Sequence, residues 1–136
     1  MQQRCAIVCF VILSCVCTNE TSLALMKVAV EKVEIEKLTD DIARVFVREH
    51  ETLTALDIED IVTELGKLFG HDRRGYVLSV FADGSTADES AREYSASDKA
   101  NRHSLADAIL VQSLAQRMVG NFYMRCNKPK VPTKLF

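Results

Sequence analysis

Four of the chain's five cysteines sit in one uncharged run, Cys5 to Cys17, and the fate of that run decides what can hold the rest together. Arg4 and the amino terminus give it a short positive start, and Ile7, Val8, Phe10, Val11, Ile12 and Leu13 make it apolar. At a helical rise of about 1.5 Å per residue it spans about 20 Å, short of the roughly 30 Å hydrocarbon core of a bilayer. Length and flanks therefore predict a secretory signal peptide over residues 1–17, rather than a membrane span or a core helix. The mature chain then starts near Thr18 and keeps only Cys126, so no internal disulfide can staple it. Its stability must come from an apolar core, which about 119 residues can build as a single domain.

A second reading of the leader is that Ile12 to Cys15, "ILSC", resembles the lipobox of bacterial lipoproteins, which would make Cys15 a lipid-anchored first residue. Leu13 departs from that pattern, since a small residue is usual there. Asn19-Glu20-Thr21 is a glycosylation sequon, consistent with export and marking Asn19 as a candidate glycan site. Cys126, with Arg125 and Lys128 nearby, is a candidate for an intermolecular disulfide, and hence for a homodimer; the alternative is a buried, inert thiol.

Along the mature chain the plainest element is Leu53 to Gly70. Ile58, Ile61, Val62, Leu65, Leu68 and Phe69 recur on one helical face, Thr54 and Asp57 stand at capping-box positions, and Gly70 supplies the stop. Gly66 inside this helix marks a place for close packing. Ser104 to Gly120 reads as a second helix, with Ser104 as cap and Asp107 three residues later. Between them Tyr76 to Ala82 is β-branched and aromatic and ends at Asp83-Gly84, so a buried strand is expected, with Asn121 to Cys126 as another. Lys27 to Lys37 fits a strand with one irregularity and equally a helix, while Thr39 to His50 reads as helical either way. Asp83 to Ser104 is a long polar connection in which Ser85 and Asp88 could cap a short exposed helix. The basic tail Asn127 to Phe136 holds both prolines and is expected to be extended and flexible. The expected architecture is α+β, with at least three helices packed on a small sheet centred on 76–82. The alternative is an all-α bundle with 27–50 as one long helix.

Charge is uneven: Glu31 to Glu64 holds eleven acids and four bases, whereas Asn121 to Phe136 holds four bases and no acid. Without interleaved aromatics that tail is a thin basis for nucleic-acid binding, and none is expected. No Cys/His spacing suits zinc, no acidic loop suits calcium, and no glycine-rich loop suits phosphate, so no cofactor or metal is expected. The dibasic pair Arg73-Arg74 reads as a structural loop, because cutting there would sever a helix from a strand of the same domain. The three histidines, His50, His71 and His103, read as surface residues. The expectation is a secreted protein that acts by binding a protein partner, through Asp83 to Ser104 and the tail. The alternative is a small secreted hydrolase with a dispersed triad of Ser85, His103 or His71, and Asp83.

Overall fold

The computed structural model describes residues 26–136; the expected signal peptide over 1–17, Cys15 and Asn19 lie outside the described residues. The first segment is a hairpin: β1, Lys27–Val30, turns through Glu31 and Lys32 into β2, Val33–Thr39, pairing Val30 with Val33. The irregularity read in Lys27 to Lys37 is therefore a turn between two strands. β3, Ile42–Val47, follows antiparallel to β2, which corrects the expectation of a helix over Thr39 to His50. Ile42, Val45 and Phe46 fit both periods, but Ala43, Val45 and Val47 alternate into one face of the sheet and Ile42 into the other. Strand pairing on both sides decides between the two.

After β3 come β4, Thr52–Leu53, and helix α1, Ala55–Phe69. The chain then enters β5, Gly75–Phe81, and β6, Thr86–Ala87, and proceeds through α2, Glu89–Ser95, to β7, Ser104–Leu110. It ends with α3, Leu114–Phe122, a π-helical turn, Tyr123–Asn127, and β8, Thr133–Leu135. Among the described residues the main sheet has six strands in the order β1-β2-β3-β5-β7-β8, with β4 and β6 forming a separate pair. The described content is mixed α/β with three α-helices, and the sheet is larger than the small one expected. The all-α bundle is excluded. From β3 onward the pairings are parallel and each step moves the same way across the sheet. Right-handed crossovers in one direction bring their helices to one face. Helices α1 and α2 accordingly meet Val33, Ile35, Val45, Val47 and Val77 on that face. The opposite face carries a smaller cluster of Ile42, Leu78 and Ala108, flanked by Leu38, Tyr76, Val80 and Phe136.

Three further expectations are corrected. Ser104 to Gly120 is not one helix: its first half is β7, between β5 and β8, and only its second half is helical. Alanines at 106 and 108 favour helix weakly, and two flanking strands override them. The true cap is Ser113, whose hydroxyl accepts from the Gln116 amide while the Gln116 side chain returns to the Ser113 amide. Asn121 to Cys126 is helical rather than a strand. The tail is not free along its length either: Thr133, Lys134 and Leu135 pair with Asp107, Ala108 and Ile109.

Helix α1 has the ends the sequence predicts. Asp57 Oδ2 accepts from the Thr54 amide (2.8 Å), the Thr54 hydroxyl (2.9 Å) and Lys32 Nζ (2.8 Å), so the cap also anchors the first hairpin. Burial alone would raise the Asp57 pKa, but these donors outweigh it and hold the carboxyl below its ordinary range. Replacing Thr54 with Ala is expected to cost about 1 kcal/mol in urea unfolding. No described helix is long and apolar enough to cross a membrane.

Candidate functional site

Residues nominated from sequence do not converge. Ser85 is buried just past the end of β5, and its hydroxyl donates to the Ala82 carbonyl at 2.6 Å. His103 is buried rather than on the surface and lies at the opposite end, where its carbonyl accepts from the amide of Gly75 at the start of β5. The length of that strand, about 20 Å, separates the two. A Cβ at residue 66 would lie 2.6 Å from His103 Nε2, so Gly66 permits the close approach expected of it, with this imidazole as the neighbour. His71 and Asp83 are exposed, so no triad forms around Ser85. His50 is exposed as well, and its ring fills the space a side chain at Gly84 would need. Cys126 is a free, exposed thiol in the π-helical turn. Among the described residues no group of three His, Cys, Asp or Glu side chains is placed to hold a metal ion.

The structure instead brings together residues that the sequence reading assigned elsewhere. A cavity of about 150 Å³, partly open to solvent, lies between the helical face of the sheet and the three helices. Val45, Val77, Ile109 and Val119 contribute apolar wall, while Ser104, Asp107 and Tyr123 bring polar groups to it. Asp107 reaches this face because β7 alternates: Ala106 and Ala108 are buried on one side, and Asp107 and Ile109 point to the other. Its Oδ1 is sealed from solvent and has no hydrogen-bond partner among the described residues. Burial pushes the carboxyl up to about 7, against a smaller lowering by a hydrogen bond from Ser104. Burial, and then the nearby Asp107 charge, push the Tyr123 phenol well above its ordinary value.

Two neighbours fix the walls. Gln116, buried on α3, uses its whole amide. Nε2 donates to the carbonyls of Ala82 (2.7 Å) and Ser85 (2.9 Å), and Oε1 accepts from the amides of Gln112 (2.8 Å) and Ser113 (3.3 Å). Arg92 on α2 donates to the Ala87 carbonyl at 2.7 Å and lies 5.5 Å from the Phe122 ring centre, while its buried Nε has no partner among the described residues. The signal for Asp107 was present in the sequence, as an acid inside an apolar stretch. Spaced three residues from Ser104, it also fits a helix cap, and only the strand pairing of β7 decides between the two.

These features describe an α/β sheet whose described helices lie on one face and enclose a small cavity, with one carboxyl oxygen that has no partner among the described residues. Residues 36–136 match the family described as a domain of unknown function (DUF7793), and the chain belongs to that family. No curated protein and no solved structure matches the chain.

Proposed function

We propose that the protein works by binding, and that its ligand is a small molecule with an apolar body and a hydrogen-bond donor. The observation that carries this reading is Asp107, which lines a largely apolar cavity and whose buried Oδ1 has no partner among the described residues. Buried polar atoms rarely go without partners, and leaving one so costs about 1–3 kcal/mol unless a ligand or water supplies the bond. A space of about 150 Å³ accommodates a body the size of benzene. Turning the side chain would bring that oxygen into the cavity, where a donor on the body completes its hydrogen bonding while the apolar walls take the remainder.

Titrating the protein with toluene, benzyl alcohol and benzylamine, followed by amide NMR, tests this. Shifts are expected at Val77, Ile109 and Val119, with the two donor-bearing probes binding more tightly than toluene. In Asp107→Ala that advantage should vanish, and in Ser79→Ile, which fills the cavity, all three should be excluded. An unchanged spectrum with every probe, or equal shifts in the filled variant, defeats the reading. We place this activity outside the cell, on the strength of the charge-free run Cys5 to Cys17 behind Arg4. The intact mass of the natural product tests that placement: a chain beginning near Thr18 supports it, and one retaining Met1 to Cys17 refutes it.

A further inference from the structure

Helix α3 has a second face, turned away from the cavity. Leu114, Met118 and Phe122 follow one another at intervals of four residues and are 75%, 65% and 51% exposed. At about 100° per residue they fall within an arc of roughly 80°, so they form one stripe. Arg117 and Arg125 are also exposed and lie along the same side of the helix, and Lys128 and Lys130 follow beyond the π-helical turn. From Val111 to Pro132 there are four bases and no acid. None of the four meets a carboxylate among the described residues, although seven ion pairs form elsewhere. The cation at Arg92 lies over the Phe122 ring and adds positive charge at the end of the stripe.

The geometry points to this face as a docking surface for an anionic lipid layer: Leu114, Met118 and Phe122 enter the headgroup–acyl boundary while Arg117, Arg125, Lys128 and Lys130 meet the phosphates. Large apolar side chains on one side of a helix, flanked by cations of a single sign, are what an interfacial helix requires. A second copy seated symmetrically on the stripe would bring Arg117 and Arg125 against their own counterparts, which opposes association. The inner face of the same helix supplies Gln116 and Val119 to the cavity, so docking leaves that wall in place.

The chain contains no tryptophan, so Leu114→Trp in the full chain gives a single indole reporter on the stripe. Its emission is expected to shift to the blue on vesicles of phosphatidylcholine with phosphatidylserine, but not on phosphatidylcholine alone, and to return in high salt. Arg117→Gln and Arg125→Gln in that background should each weaken binding roughly fivefold. Met118→Gln should weaken it about tenfold. The run Cys5 to Cys17 is common to all variants, so their differences report the helix. Four results would overturn the proposal: no shift on anionic vesicles, a shift insensitive to the arginine substitutions, a shift that grows with protein concentration in the absence of lipid, or one produced by polyglutamate and not by vesicles. The third would assign the face to a second copy and the fourth to an acidic polypeptide.

Discussion

Replacing Asp107 with asparagine is expected to raise the melting temperature at pH 8 by roughly 10 °C while leaving it nearly unchanged at pH 4. The carboxyl titrates near 3.8 when the chain is unfolded and at about 7 when folded, because burial disfavours its charge. Between those values the native state holds a proton that the unfolded state has released. The raised pKa therefore makes stability fall as pH rises through that window, and the loss is complete above about 7. Its size is on the order of 4 kcal/mol, set by the difference between the two pKa values. Asparagine keeps the shape and cannot ionise, so its stability should follow a flatter line across the window. Thermal scans of both proteins from pH 4 to pH 8 measure this directly. Parallel curves would mean that Asp107 is charged at no cost in the fold, and the cavity's polar anchor would lose its physical basis.

The same residue shows what the sequence discloses and what it conceals. Helix α1 was legible because its cap, apolar face and glycine stop are all local signals, and they agree with one another. β5 was legible because Gly75 to Phe81 is β-branched and aromatic in a run too short for a helix. β7 was concealed because Ser104-Leu105-Ala106-Asp107 mimics a capping box, and the pairings that make it a strand come from β5 and β8, far away in the chain. That one misreading moved Ser113 out of its role as cap and left Asp107 as an ordinary first-turn acid. Asn121 to Cys126 is helical instead of a strand, and the strand beside β7 comes from Thr133 to Leu135 in the tail. β3 failed for a similar reason, since Ile42, Val45 and Phe46 fit both periods and only the neighbouring strands choose. Most of the cavity follows from these long-range pairings, so few of its polar members were nominated from sequence.

Gln116 offers the second large effect. Its amide joins the start of α3 to the turn after β5, satisfying two carbonyls on one side and two amides on the other. Methionine at this position retains much of the volume and none of the bonds. A buried partner left unmet costs about 1–3 kcal/mol; the Ser85 carbonyl would lose its donor, whereas the Ala82 carbonyl still accepts from the Ser85 amide and hydroxyl. Gln116→Met, which loses the helix-end bonds as well, is therefore expected to lose about 2 kcal/mol in urea unfolding. Ser113→Ala, which removes only the cap, should lose about 1 kcal/mol. Gln116→Glu should be at least as damaging as methionine, because a carboxylate oxygen would replace the donor facing two carbonyl oxygens. The comparison with Ser113→Ala separates a tether between elements from a local helix end. If Gln116→Met costs no more than the loss of the cap, α3 is held by its apolar contacts alone, and the wall it lends to the cavity is free to move.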